Sequence, residues 1–113
     1  ARRALMYTPG DDLKKITKAA ALDVDCLCMD IEDGVASSRK IEARQMIITA
    51  LGSLDFGRTE RLVRINAVGS GLEAADLEAV FSAGAQVRPD GVVLPKAESA
   101  GQVGWVSAQI AAA

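Results

Sequence analysis

Short apolar runs and longer amphipathic stretches alternate along the chain, and this pair repeats four times. The apolar runs lie at 4–7, 26–31, 62–65 and 91–94. None of them alternates cleanly between apolar and polar residues, which is typical of strands that are covered on both faces in a parallel sheet. The pattern therefore predicts an α/β fold with four buried strands, each followed by a helix.

The stretches between the strands have helical spacing and recognisable ends. Asp11 or Asp12 is predicted to cap the first helix, and Ser37 or Ser38 the second, which Gly52 ends. The four predicted helices span about 12–22, 38–52, 72–82 and 100–113. Their predicted inward positions are Leu13, Ile16, Ala20 and Ala21, then Ile41, Ala43, Ile47, Ile48 and Leu51, then Leu77, Val80 and Phe81.

Short connections between such units predict right-handed crossovers and a parallel sheet. Periodicity alone leaves two architectures open, a flavodoxin-like open sheet and half of an eight-stranded barrel. The chain stops at Ala113 inside a predicted helix, which favours an incomplete chain. We therefore expect residues 1–113 to form a partial barrel, the N-terminal half of a TIM (β/α)8 barrel of about four β/α units, with the C-terminal half missing.

Composition narrows the function classes. The 113 residues, half of them hydrophobic and a quarter charged, suit one globular domain. A net charge of −2 argues against a nucleic-acid or membrane-surface partner, because both favour a basic patch.

Cys26 and Cys28 are two residues apart in a strand, so both thiols are expected on one buried face, as small core residues in a reducing compartment.

Polar side chains follow each predicted strand, at the edge where parallel α/β folds place their sites. Asp30, Glu32 and Asp33 bring three carboxylates within four residues. Such a group needs a cation or basic side chains to neutralise it, and Mg²⁺ prefers carboxylate oxygens. The alternative is structural: Asp33 and Gly34 form only a turn, and Asp30 takes part in an ion pair.

Arg64 lies within a predicted strand, where a buried charge needs a partner. Its guanidinium could hold a carboxylate or an enolate oxygen, or form a salt bridge to Glu32 or Asp33. Glu98 follows the fourth strand, as a metal ligand or as an acidic residue in the first turn of a helix that Ser99 could cap. Lys96 either neutralises the acidic cluster or contacts an anionic ligand.

A lysine group marks the first predicted helix. Lys14, Lys15 and Lys18 lie about one turn apart, and Gly10 before them permits close approach to the backbone. The group could receive the phosphates of a nucleotide-bearing substrate. It is equally well explained as a solvated helix face.

Taken together, several segments resemble the citrate lyase β-subunit-like family of acyl-CoA lyases, in the HpcH/HpaI aldolase superfamily. They are 3–10, 30–35, Lys40 with 42–44, 63–66 and 94–99. Further segments, at 54–57 with 59–60 and at 66–72 with 76–77, look like the citramalyl-CoA lyase branch found in mitochondria. The bacterial citrate lyase β subunit is the second-best match. A non-enzymatic half-barrel that only binds a partner stays open as an alternative.

The resemblance implies a Mg²⁺-dependent (β/α)8 lyase, usually a homotrimer, in the mitochondrial matrix or cytoplasm. It implies cleavage of a 3-hydroxy-3-carboxyacyl-CoA by a retro-aldol or Claisen-type reaction, with citramalyl-CoA giving acetyl-CoA and pyruvate. The alternative substrate is a citryl thioester, which gives oxaloacetate and an acetyl thioester. Tyr7, Lys14 and Lys18 would lie along the path of the CoA thioester.

The same resemblance implies roles for four residues near the reacting atoms. Glu98 would bind Mg²⁺, Glu32 and Asp33 would support the metal site, and Arg64 would contact substrate as a catalytic residue. A second metal carboxylate and the acid/base carboxylate of the family are expected outside residues 1–113.

Overall fold

The computed structural model describes residues 2–113, and within them four parallel strands form one sheet in the order β1-β2-β3-β4. The strands are β1 (Leu5–Pro9), β2 (Cys26–Asp30), β3 (Glu60–Arg64) and β4 (Gly91–Val93). The helices are α1 (Leu13–Ala20), α2 (Lys40–Ser53), α3 (Glu73–Ser82) and α4 (Ala100–Ala112). Short 3-10 turns lie at Ser37–Arg39 and Ala85–Val87.

The strand order distinguishes between the two predicted architectures. A flavodoxin-like sheet reverses direction after its first strands, so that β1 lies between β2 and β3. Here each strand pairs with the next in sequence, and consecutive helices contact one another, α1 with α2, α2 with α3 and α3 with α4. This arrangement is that of the first four units of a (β/α)8 barrel, so the predicted fold class is confirmed.

The apolar core lies between the sheet and the helices. Leu27 and Met29 of β2 and Val63 of β3 are fully buried there, against Ile16 of α1 and Ile47 of α2. Because side chains alternate along a strand, Cys26 and Cys28 point to the other face. Both are buried free thiols, as expected, and burial raises the pKa of Cys28 to about 12.

The expectation that every strand is covered on both faces is correct for β2 and wrong for β1. All five residues of β2 are buried. In β1, by contrast, Leu5, Met6 and Tyr7 are 46%, 36% and 46% exposed. The reason is that β1 is an edge of the sheet within residues 2–113, with β2 as its neighbour on one side.

The helix caps were predicted with mixed success. Asp12 caps α1, where its carboxylate accepts a hydrogen bond from the Lys15 N–H at 3.0 Å. Ser99 likewise caps α4. The prediction for α2 is wrong, because residues 37–39 form a separate 3-10 turn and α2 begins at Lys40 without a side-chain cap. Gly52 does not end α2, which runs on to Ser53.

The inward face of α2 agrees with the predicted one only in part. Ile41 was expected in the core but is 69% exposed. Ala43, Ile47 and Leu51 are buried as predicted, and the buried stripe also includes Lys40 and Ala50. The buried residue in the first turn of α2 is therefore a lysine, and not the isoleucine that the hydrophobic pattern indicated.

Candidate functional site

Arg64 and Asp30 stand side by side where β2 and β3 end. They are register partners in the parallel sheet, so their side chains project from the same face. Arg64 donates from Nε to Asp30 Oδ1 at 2.9 Å and from Nη2 to Oδ2 at 2.8 Å. This two-point contact uses the planar fork of the guanidinium and fixes its orientation. The Asp30 side chain is 4% exposed and that of Arg64 is 24% exposed.

The carboxylate of Asp30 is fully occupied within the chain. Its Oδ1 also accepts from the N–H of Glu32, and its Oδ2 from the N–H of Gly34, both at 2.8 Å. A Cβ at position 34 would lie 2.7 Å from Oδ2, so only glycine allows this approach. Burial by itself raises the pKa of Asp30, but the hydrogen bonds from Arg64 and the two backbone N–H groups outweigh it and lower the pKa. Asp30 is therefore an ionised anchor for Arg64 and has no free oxygen for a ligand.

Glu32 is the second buried carboxylate of this edge. Its Oε2 accepts from Lys96 Nζ at 2.7 Å, and its Oε1 lies 3.6 Å from Arg64 Nε. The hydrogen bond to Glu32 raises the pKa of Lys96. Asp33 is mostly exposed and lies 3.6 Å from Lys96. Lys96 thus neutralises the acidic cluster, the first of its two predicted roles.

Tyr7 reaches the same cluster from β1. The centre of its ring lies 4.7 Å from Arg64 Cζ, a distance at which the ring attracts the guanidinium. Arg64 is therefore held by Asp30 and flanked by an aromatic ring, while no hydrogen bond within residues 2–113 uses its Nη1. The structure brings Tyr7, Asp30, Glu32, Arg64 and Lys96 together at one edge of the sheet.

Three predicted residues lie outside this cluster. Lys14 and Lys18 are exposed on α1, and neither forms an ion pair within the described part of the chain. Glu98 is exposed between β4 and α4, and its backbone N–H donates to Gln102 Oε1 at 2.8 Å. Its carboxylate takes part in no hydrogen bond or ion pair of the described residues.

The donor set fits a divalent cation only in part. Residues 2–113 contain no group of three His, Cys, Asp or Glu side chains placed to hold a metal ion. Mg²⁺, however, is commonly held by one or two carboxylates together with waters and substrate oxygens. The uncommitted carboxylate of Glu98 suits one such ligand, whereas Asp30 is saturated and Glu32 is paired with Lys96.

One buried charge network was missed by the sequence analysis. Asp76 of α3 is fully buried; its Oδ1 accepts from Arg44 Nε at 2.7 Å. Its Oδ2 accepts from the backbone N–H and the Nδ2 of Asn66, at 2.9 and 2.7 Å. Asp76 therefore ties α2 and α3 to the residues that follow Arg64. The signal in the sequence was a carboxylate beside Leu77 on the inward side of a helix.

A cleft of about 670 Å³ lies at the opposite, amino-terminal edge of the sheet. Its lining includes Arg2, Asp25, Arg58 and Glu60. Arg2 and Glu60 form a two-point ion pair at 2.6 and 2.8 Å, which lowers the pKa of Glu60 to about 2. In barrels this edge contributes to stability, whereas chemistry is found at the carboxyl edge.

Comparison with known proteins finds a matching family model and a similar named protein. A family model described as HpcH/HpaI aldolase/citrate lyase matches residues 3–113. The human protein named citramalyl-CoA lyase, mitochondrial, is 47% identical over 104 residues, which are 92% of this chain and 30% of that protein.

Solved structures show the same likeness. The Mycobacterium tuberculosis protein CitE in complex with magnesium, acetoacetate and coenzyme A matches with a TM-score of 0.72 and 38% identity, over 95% of this chain and 38% of that one. The citrate lyase β subunit of the same organism, complexed with oxaloacetate and magnesium, matches with a TM-score of 0.71 and 38% identity, over 91% of this chain and 42% of that one. The chain thus spans 30–42% of the length of these three relatives. No helix within residues 2–113 is long and apolar enough to cross a membrane.

Proposed function

This chain belongs to the HpcH/HpaI aldolase/citrate lyase family, and we propose that the protein carrying it is a Mg²⁺-dependent lyase that cleaves a carbon–carbon bond in a CoA thioester. The observation that carries the proposal is the fixed orientation and the free donor of the Arg64 guanidinium. Its guanidinium is fixed by Asp30 at the carboxyl edge, is 24% exposed, and has Nη1 uncommitted among the described residues. A preorganised cation of this kind stabilises an oxyanion without having to reorient.

Citramalyl-CoA is the proposed substrate, which the likeness to the human mitochondrial enzyme supports. A base removes the hydroxyl proton of the substrate, and the hydroxyl carbon becomes the keto carbon of pyruvate. The bond from that carbon to the thioester α-carbon breaks, and its electron pair forms the enolate of acetyl-CoA. Protonation of the enolate carbon then gives acetyl-CoA. The base is proposed to lie outside residues 1–113.

Arg64 is proposed as the catalytic residue of this half of the site. Its free Nη1 donors would hold a substrate carboxylate or the enolate oxygen, where negative charge grows during cleavage. Tyr7 keeps the guanidinium plane in place and borders the same space. Removing one such oxyanion donor commonly costs about 3–4 kcal/mol of barrier.

Glu98 is proposed as one ligand of Mg²⁺, supported by its free, exposed carboxylate in the loop that follows the fourth strand. When bound, the ion would polarise the substrate's hydroxyl and carboxylate oxygens as a Lewis acid. Glu32 and Asp33 would support the metal site without binding the ion themselves. Glu32 does so by holding Lys96 at 2.7 Å, which keeps the surrounding charge balanced.

The remaining parts of the proposal concern the whole protein. Lys14 and Lys18, exposed on α1, would attract the phosphates of CoA. Residues 1–113 would form the first half of a barrel whose second half supplies the other metal ligand and the base. We further propose a homotrimer, and a mitochondrial location in line with the name of the human relative.

The test is a lyase assay of the complete protein with citramalyl-CoA and with citryl-CoA, with Mg²⁺ and with excess chelator. We expect Mg²⁺-dependent release of pyruvate and acetyl-CoA, with the larger kcat/KM for citramalyl-CoA. A preference for citryl-CoA would assign the citrate lyase reaction instead. Absence of turnover with both thioesters, from a folded protein, would leave a binding or structural module.

A further inference from the structure

Lys40 is a buried cation that has no carboxylate partner within residues 2–113. It is 9% exposed at the first position of α2. Its Nζ donates to two backbone carbonyls, those of Ile31 and Glu32. Burying an ammonium group is costly, and a cation in the first turn of a helix is opposed by the helix dipole. Neither the core nor α2 accounts for a lysine at this position, so its role lies at the end of β2.

A single peptide group connects Lys40 to the anchor of Arg64. Lys40 donates to the carbonyl oxygen of Ile31, and the N–H of the same peptide, which belongs to Glu32, donates to Asp30 Oδ1 at 2.8 Å. That oxygen also accepts from Arg64 Nε, at 2.9 Å. In a buried site, consecutive hydrogen bonds polarise and strengthen one another.

We infer that Lys40 is a positioning residue for Arg64, acting through the Ile31–Glu32 peptide and the carboxylate of Asp30. The ammonium fixes the plane of this peptide and makes its N–H a better donor, so that Asp30 keeps both oxygens aimed at the guanidinium. The inference rests on the proposed function in one respect, which is that Arg64 is the group that meets the substrate.

The contact with the second carbonyl serves the same edge. By holding the Glu32 carbonyl, which also accepts from the N–H of Val35 at 3.3 Å, Lys40 fixes the turn that follows β2. The turn carries the Glu32 side chain to Lys96 and the N–H of Gly34 to Asp30. Without the ammonium the Ile31 carbonyl loses its donor, and the peptide is free to rotate away from Asp30.

The experiment replaces Lys40 in the complete protein with methionine, which keeps the length of the side chain and removes the charge. Arg58→Met is the matched control, because Arg58 is a cation 92% exposed at the opposite edge. We expect Lys40→Met to lower kcat/KM by about 10- to 100-fold, the usual effect of losing a residue that orients a site group. We expect Arg58→Met to leave kcat/KM unchanged.

Two readouts separate positioning from a merely structural role. The first readout is a double-mutant cycle of Lys40→Met with Asp30→Asn. The kcat/KM of the double variant should be no lower than that of the slower single variant, because both changes break the same connection from Lys40 to Arg64. If the two losses in kcat/KM multiply, the inference is overturned. The second readout is the rate of hydrogen exchange of the Arg64 Nε–H, followed by NMR. Its signal is identified as the one that disappears in Arg64→Lys. The exchange rate should rise at least tenfold in Lys40→Met, and an unchanged rate would overturn the inference.

The exchange readout keeps the two proposals distinguishable. If the unmodified protein turns over no CoA thioester, the proposed function fails, and the exchange rate still decides the role of Lys40. If Lys40→Met does not fold, Lys40→Gln serves in its place. Its amide keeps one donor without the charge, and the same acceleration of Arg64 exchange is expected.

Discussion

The guanidinium of Arg64 and the carboxylate of Asp30 are register partners at the ends of adjacent parallel strands, and they meet in a two-point hydrogen bond of 2.9 and 2.8 Å. Parallel pairing makes this contact possible, because it places both carboxyl ends at one edge of the sheet. The pair occupies Nε and Nη2 of Arg64 and leaves Nη1 directed elsewhere. The local geometry therefore separates an anchoring side of the guanidinium from a side available to a ligand.

Replacing Arg64 with lysine tests the available side. An ammonium cannot bridge both oxygens of Asp30 and also offer a second, outward-facing donor. We expect kcat/KM for the CoA thioester to fall at least about 100-fold, the lower range for loss of an oxyanion donor. Steady-state kinetics of the complete protein measure this loss of kcat/KM. Arg58→Lys is the control at an exposed position, and its kcat/KM should equal that of the unmodified protein. A rate near that of the unmodified protein would remove Arg64 from the mechanism.

Asp30→Asn tests the anchoring side through stability. The amide nitrogen would face a guanidinium donor and leave it unpaired, at a cost of about 1–3 kcal/mol of unfolding free energy. The pKa of Asp30 is lowered in the folded state, so its ionised form contributes stability above the unfolded-state pKa of about 3.9, and this is lost as pH falls through the folded-state value. The gap in urea midpoint between the two proteins should therefore be widest near pH 7 and shrink below pH 4. A gap that is independent of pH would show that the charge of Asp30 does not stabilise the fold.

Gly34→Ala tests the close approach of the turn to Asp30. The new Cβ would lie 2.7 Å from Asp30 Oδ2, so the turn must shift and the N–H of Gly34 loses its acceptor. We expect destabilisation of about 1–3 kcal/mol, as for overpacking in a closely packed site. Gly104→Ala is the matched control. Position 104 is inside α4 with open space around it, so alanine there should stabilise by about 0.5–1 kcal/mol. Equal effects of the two changes in chemical denaturation would contradict the crowding at position 34.

Glu98→Ala tests the proposed metal ligand. If the carboxylate binds Mg²⁺, its loss should weaken Mg²⁺ binding at least tenfold and abolish turnover at low millimolar Mg²⁺. Titration calorimetry with Mg²⁺ on the complete protein measures the affinity directly. Glu78→Ala removes an exposed carboxylate from α3 and should change neither quantity. Unchanged Mg²⁺ affinity in Glu98→Ala would exclude Glu98 from the metal site.

Much of the fold could be predicted from the pattern of residues alone. Four apolar runs, each followed by helical spacing, correctly predicted four parallel strands and four helices. A strand that is buried on both faces gives a continuous apolar run, whereas a helix that is buried on one face gives apolar residues about every three to four positions. The caps at Asp12 and Ser99 followed from side chains that can accept from the first free N–H groups of a helix. The start of α2 could not be predicted in this way, because α2 begins at Lys40 without a side-chain cap, after a separate 3-10 turn at 37–39.

The chain's own sequence determined that carboxylates and a guanidinium would follow buried strands, and so that a charged cluster would lie at the carboxyl edge. The tertiary structure alone decided which of them pair. Strand register made Asp30, rather than the predicted Glu32 or Asp33, the main partner of Arg64. Tertiary packing also brought Lys96 to Glu32 across 64 positions. The buried position of Lys40 likewise depends on the rotation of α2 against the sheet, which no local pattern encodes. Periodicity reports which face of an element is buried, whereas the partners of a charge depend on how elements distant in the chain are packed.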